Sequence, residues 1–222
     1  ATGRTVMGTR EVAYRARPWN PGPQDVVLVT GGNGVIGSRL AIEIADRGAQ
    51  VVLMGRSTAN DAVRKLVADH PNTVRYIQAD VSDSTALKEA ITNVPPVTVL
   101  VHAAGSIADG PLGRIEKERA DAVRRVKWQG WLNAIRICRG SLKIALGVGS
   151  WAGRFGNAYQ THYASGNALM AALAQEICPE VRTVVSEFGP WAGSHMADSI
   201  PEVVRESMRA DGVHFVGQAS GI

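Results

Sequence analysis

The stretch DVVLVTGGNGVIGSRL, residues 25–40, decides the fold. DVVLVTGG is a short β-branched run ending in glycines, the pattern of a strand buried on both faces. GSRLAIEIADRG, residues 37–48, has helical apolar spacing and a glycine stop. Between them Gly32-Asn33-Gly34-Val35-Ile36-Gly37 spells G-x-G-x-x-G. Glycine-rich turns are common, and alone the motif says little. Between a strand and a helix it acquires a mechanism. Gly32 and Gly34 permit a tight turn and close approach to a pyrophosphate, Gly37 allows the helix to pack closely on the strand, and the helix N-terminus offers N–H donors to phosphate charge. The expectation is a dinucleotide-binding turn.

The alternation continues outward. Strands are expected at AQVVLMGRS (49–57), VRYIQADVSD (74–83), VTVLVHAAG (97–105), LKIALGVGS (142–150) and VRTVVSEFGP (181–190). Helices are expected at DAVRKLVADHP (61–71), at STALKEAITN (84–93) with Ser84 as its cap, from about Glu116 to Cys138, and at THYASGNALMAALAQEI (161–177). Strands alternating with helices throughout mean an α/β, doubly wound parallel sheet of Rossmann-like type, covered on both faces. A single catalytic domain is expected over residues 25–222, after a basic, Pro-rich lead-in at 1–24. REVAYRARPWNPGP within that lead-in reads either as a linker or, around Arg10–Arg17, as the last strand of an upstream structural subdomain.

Bulk properties exclude several classes. At 222 residues the chain can bury one full core, mostly aliphatic because aromatics are only 5%. No apolar run approaches the roughly 20 residues of a membrane span, and the N-terminal residues lack an apolar signal core. Cys138 and Cys178 fit no metal or disulfide pattern and are expected as buried free thiols in a reducing, cytoplasmic compartment. The net charge of +4 is spread along the chain. The densest cluster, ERADAVRRVK (118–127), interleaves no aromatics with its bases, which argues against nucleic acid.

The second strand ends in LMGRS, where NAD binders usually carry a carboxylate for the ribose 2′-hydroxyl. Here Arg56 and Ser57 stand instead, and a guanidinium can pair a 2′-phosphate bidentately, so NADPH is expected over NADH. Asp80 either accepts from the adenine amino group or caps the next helix, as Ser82 could. Ala103, Ala104 and Gly105 end the fourth strand, small enough for a nicotinamide ribose to lie against the sheet. Ser150 follows the fifth strand at the same edge. Tyr163 comes 13 residues later in the first turn of a helix, and Asn167 shares its face at i+4. A phenol near pKa 10 needs a cation to reach its phenolate, and Lys127, 36 residues before Tyr163, is the candidate. His162 points about 100° away from Tyr163 and is expected on the surface or facing a lid. His102 is expected to be structural.

Taken jointly, Thr30–Gly37, the HAAG of 102–105, Lys127, Ser150, Tyr163 and Asn167 resemble a short-chain dehydrogenase/reductase. In most of that superfamily a Lys follows the Tyr by four residues and the Asn lies on the preceding helix. The two are exchanged here, which resembles the ketoreductase domains of type I polyketide synthases and animal-type fatty acid synthases. FGPWAGSHMA (188–197) resembles the segment leading into their substrate lid, with His195 where those domains often have Gly. The likeness runs from about residue 25 to 197. It implies that NADPH is met by Thr30, Gly32, Asn33, Gly34, Val35, Ile36, Gly37, Arg56, Ser57, Asp80, Val81, Ala103, Ala104, Gly105, Lys127, Tyr163 and Pro190. It implies reduction of a β-ketoacyl thioester, with Tyr163 as acid, Ser150 on the same oxygen, Lys127 lowering the phenol pKa and also holding the nicotinamide ribose, and Asn167 positioning Lys127 or a relay water. It also implies a phosphopantetheinylated acyl carrier protein and neighbouring synthase domains as partners, and no metal, membrane or nucleic acid.

In such domains a Leu-Asp-Asp-like loop accompanies the D-hydroxyl product, and a Trp eight residues before the Tyr accompanies the opposite class. This chain has Ile107-Ala108-Asp109 and Phe155, a balance that leans to the D type. Asp109 reads equally as a turn cap with Gly110. Two rival readings stand beside the active ketoreductase: a catalytically silent structural or binding relative, and a stand-alone reductase of a small ketone.

Overall fold

The computed structural model describes residues 19–217 apart from 175, 177, 199 and 211. The strand expected around Arg10–Arg17 lies outside the described residues. Six strands form one parallel sheet: β1 (Val26–Thr30), β2 (Gln50–Gly55), β3 (Val74–Gln78), β4 (Val99–His102), β5 (Ile144–Ser150) and β6 (Arg182–Phe188). Their order is β3-β2-β1-β4-β5-β6. The chain winds outward through β1, β2 and β3, then returns to β4 beside β1. The crevice at the carboxyl ends of β1 and β4 is therefore the switch point where this architecture binds ligands. Register aligns that edge: Thr30 pairs with both Met54 and His102.

The alternation of side chains explains the two cores. Val26 and Leu28 of β1 join a cluster with Trp131 and Met170, whereas Val27 and Val29 join one with Ala41, Ile44 and Val63. Burying each such side chain is worth about 1.5–3 kcal/mol, so a strand apolar on both sides is fixed between two helical layers. Those layers contain α1 (Val35–Asp46) and α2 (Asp61–Asp69) on one face, and α3 (Ser84–Ala90), α4 (Lys117–Cys138) and α6 (Thr161–Leu173) on the other. A one-turn α5 (Ala152–Phe155) precedes α6, and α7 (His195–Asp198) and α8 (Glu202–Ala210) follow β6.

The cap of α3 differs from expectation. Asp83, not Ser84, is the N-cap, accepting from the N–H groups of Thr85 and Ala86 at 2.9 and 3.0 Å. Ser84 is the first helical residue. Asp and Ser cap about equally well, and here the Asp83 carboxylate is the one that reaches the two orphan donors. Cys138 and Cys178 are buried and free, as expected. No described helix is long and apolar enough to cross a membrane.

Candidate active site

The turn after β1 is built on Gly31. Its φ is +75°, and a Cβ there would lie 2.6 Å from the Ala103 carbonyl carbon. The left-handed conformation thus falls on Gly31, the residue before the G-x-G-x-x-G. Gly32 instead lies against the second strand, where an added Cβ would come within 2.8 Å of Leu53 Cβ. Gly34 is an extended N-cap at φ −81°. A Cβ on Gly37 would meet the Gly31 carbonyl oxygen at 2.6 Å, so that glycine seats α1 on the turn rather than on the strand. No side chain caps α1 and no acid occupies its first turn. The N–H groups around Val35 and Ile36 are left for a ligand's anion.

At the tip of β2, Arg56 and Ser57 are exposed, and the Arg56 guanidinium makes no ion pair among the described residues. Asn33 turns its side chain toward this tip: its Nδ2 lies 3.0 Å from Ser57 Oγ, 2.9 Å from the Thr58 carbonyl and 3.0 Å from the Tyr76 hydroxyl. After β3, Asp80 caps no helix, and neither does Ser82. Asp80 Oδ1 accepts from the Ser82 N–H at 2.8 Å and its hydroxyl at 2.7 Å, closing a local turn. Val81 is buried, and its carbonyl accepts from Asn133 Nδ2 at 3.1 Å. Asn133 also holds the Ser82 carbonyl at 3.0 Å. Its role escapes sequence reading because the contact joins residues some fifty positions apart.

Beneath the crevice, Thr30 and His102 have no exposed surface. His102 Nε2 is 3.1 Å from the Val126 carbonyl, which can only accept, so Nε2 carries the proton and Nδ1 accepts from the Thr30 hydroxyl at 2.9 Å. Burial, then the Lys127 charge, drive the imidazole pKa down to about 3. The ring is a neutral strut, and the Thr30 hydroxyl faces inward.

Lys127 is 4% exposed, and burial lowers its pKa to about 8. Its Nζ donates to the Val148 carbonyl at 2.8 Å, and an added Cβ on Gly105 would lie 3.3 Å from it. The ammonium therefore sits under the ends of β4 and β5. Gly166 lets α6 come this close to α4: a Cβ there would lie 3.2 Å from Arg124 Cα and 3.4 Å from Lys127 Cβ. Tyr163 lies in the first turn of α6, opposite Ser150 at the end of β5. Burial raises the Tyr163 pKa, hydrogen bonds with the Ser150 and Asn167 side chains oppose the rise, and the Asp109 charge adds to it. Asn167 donates from Nδ2 to the Tyr163 carbonyl at 2.9 Å, while its Oδ1 is buried with no partner. The Val148 carbonyl, not Asn167, holds the ammonium.

His162 is a correction. It is buried, with neither ring nitrogen hydrogen-bonded among the described residues. It does point away from Tyr163, but at i,i+4 it shares the Gly166 stripe, and that stripe is covered by α4. Beside it, Gln160 Nε2 donates to Asp109 Oδ2 at 2.8 Å, and the Gly110 N–H donates to the Tyr159 carbonyl at 2.9 Å. Asp109 thus latches its loop to the entry of α6, with Tyr159 in the left-handed region at φ +64°. Pro190 accepts from the Val216 N–H at 2.8 Å, which ties the chain after α8 to the end of β6.

Comparison with known proteins adds a second line. Residues 25–193 match the family described as the KR domain. Polyketide synthase GfsA of Streptomyces halstedii is 32% identical over 200 residues, 86% of this chain and 3% of that protein. The ketoreductase PlmKR1 from the first module of phoslactomycin biosynthesis in Streptomyces sp. HK803 superposes with a TM-score of 0.83 at 28% identity, covering 95% of this chain and 50% of that one. A ketoreductase domain from the bacillaene assembly line gives 0.82 at 25% identity, covering 94% and 54%. The chain thus spans a small fraction of the length of the curated relatives it matches, and about half of these solved structures.

Proposed function

The chain belongs to the KR-domain family, and from that premise we propose that it reduces a carrier-bound β-ketoacyl thioester to the β-hydroxyacyl thioester with NADPH. The observation that carries the reading is the buried Lys127 ammonium brought to the same sheet edge as Ser150 and Tyr163. Burying a lysine with only one carbonyl partner among the described residues is costly for folding alone, and cost of this kind concentrates at functional sites.

The residues fit a nicotinamide dinucleotide phosphate. A glycine turn with an uncapped helix N-terminus suits the pyrophosphate, and Arg56 with Ser57 suits a 2′-phosphate. Ala103, Ala104, Gly105 and Lys127 would meet the nicotinamide ribose, and Pro190 would also line the cofactor's site. When bound, the cofactor supplies the hydride to the ketone carbon. Tyr163 donates its phenolic proton to the oxygen that becomes an alkoxide. The Ser150 hydroxyl donates a hydrogen bond to the same oxygen as charge builds. The Lys127 charge stabilises the phenolate left behind. Asn167 Oδ1, without a partner among the described residues, would accept from a water that returns the proton.

Support for the D-hydroxyl outcome comes from Asp109, held by Gln160 beside the Tyr163 helix. The test gives the purified protein NADPH and a β-ketoacyl N-acetylcysteamine thioester, following nicotinamide absorbance and product chirality. NADPH consumption with formation of the D-hydroxyl thioester is the expected result. Bound NADPH without turnover would favour the silent relative. Turnover of free ketones but not of thioesters would favour the stand-alone reductase.

A further inference from the structure

Two loops meet at the tip of β2, and the hydrogen bonds between them are reciprocal. Asn60 donates from its backbone N–H to Asn33 Oδ1 and from its Nδ2 to the Asn33 carbonyl, both at 3.1 Å. Asn60 Oδ1 accepts from the Val63 N–H at 2.9 Å, so the same side chain caps α2. From β3 the Tyr76 hydroxyl donates to the Ser57 carbonyl at 2.6 Å, and its oxygen lies 3.0 Å from Asn33 Nδ2. Gly55 makes room for this, since a Cβ there would run into the Tyr76 hydroxyl. Gln78 Nε2 donates to the Arg56 carbonyl at 3.1 Å and fixes the neighbouring backbone. The phosphate turn, the tip of β2 and the start of α2 are therefore one tied unit.

We infer that Asn33, Asn60 and Tyr76 are positioning residues which hold Arg56 and Ser57 as a donor pair for the 2′-phosphate, so that cofactor preference is set partly by Tyr76, at the far side of the loop. The inference rests on the NADPH reading above. The chemistry follows from the hydroxyl inventory. The two hydrogens of Asn33 Nδ2 are shared among Ser57 Oγ, the Thr58 carbonyl and the Tyr76 hydroxyl oxygen, and the Ser57 proton itself has no acceptor among the described residues. A hydroxyl has one proton and two lone pairs, so this one is left as a donor toward solvent. An exposed donor beside a guanidinium without an ion pair suits an acceptor-only phosphate. A ribose hydroxyl, which seeks an acceptor for its own proton, finds no carboxylate on this loop.

Tyr76→Phe keeps the ring and removes the hydroxyl. Calorimetric titration of the protein with NADPH and with NADH is the readout. NADPH affinity should fall by about tenfold, the scale of a lost hydrogen bond and the misplacement it causes, with NADH affinity unchanged. Asn60→Ser retains a capping oxygen, removes the Nδ2 donor and should shift the ratio in the same direction. Arg56→Ala separates the two claims. If it leaves the NADPH-to-NADH ratio unchanged, the NADPH reading itself fails. If it collapses the ratio while folded Tyr76→Phe and Asn60→Ser leave it intact, or weaken both cofactors equally, the positioning inference is overturned.

Discussion

Tyr163 sits between opposing influences, and their balance suits a proton donor. Burial and the Asp109 carboxylate hold the phenol protonated, while Ser150 and Asn167 offer hydrogen bonds that favour its anion. A group that must give up a proton only as the alkoxide forms is served by that tension. Tyr163→Phe should lower turnover by roughly 10²–10⁴-fold, with NADPH binding nearly intact by titration. Lys127 sets the pH limit. Its pKa of about 8 means that the free protein loses the ammonium as pH rises through that value. The kcat/KM for NADPH, which reports the free protein, should therefore fall above about pH 8. Lys127→Arg, charged throughout, should lack that limb; an unaltered limb would assign it to another group. That Lys127, Ser150 and Tyr163 come together at one edge was legible in the sequence, because their separations resemble those of a known family. Gly31 and His162 were not. Which glycine takes positive φ depends on the close approach of Ala103, and the burial of His162 depends on α4, both far away in sequence.

At the scale of elements, the six strands and five long helices read correctly from periodicity, because strands buried on both faces are apolar throughout and amphipathic helices are not. Ends read less well. Asp83 displaced Ser84 as a cap because both residue types are good caps and only geometry chooses. The one-turn α5 and α7 are too short to impose a period, and α8, as long as α2, was not among the expected helices. The element contact that matters most for the site is the α4–α6 crossing at Gly166, which sets Lys127 on one helix relative to Tyr163 on the other. Gly166→Leu would force a side chain against Arg124 Cα, which belongs to backbone and cannot swing aside. Overpacking of this kind costs about 1–3 kcal/mol, and a misplacement near 1 Å costs about 10²-fold in rate. Turnover measured below the denaturation midpoint should fall well beyond the loss of folded protein. A variant with normal kcat would show that the crossing does not hold the site.

Over the whole molecule, the sheet order collects the site from the ends of four strands and two helices: the turn after β1, the tip of β2, the ends of β4 and β5, and helices α4 and α6. No local window of sequence contains it, and only the order of the elements brings its residues together. The same assembly leaves a lysine inside the fold, and its effect on stability has a definite sign. In the unfolded chain Lys127 titrates near its ordinary 10.5, and in the fold at about 8. Between those values the unfolded state binds more protons, so the Lys127 contribution to stability rises with pH across that window. Below about pH 8 the full penalty of burying the charge is present, on the order of 3 kcal/mol. Lys127→Met removes the charge and keeps the stem, although the Val148 carbonyl then loses its donor. The difference in unfolding free energy between wild type and Lys127→Met isolates this group from Cys138, whose pKa burial pushes up to about 12, and from Tyr163. Urea titrations at stepped pH should show the wild type gaining on the variant from about pH 8 toward 10.5. A difference that stays flat across that range would mean that the ammonium is solvated, and with it the basis for placing Lys127 under the crevice would be lost.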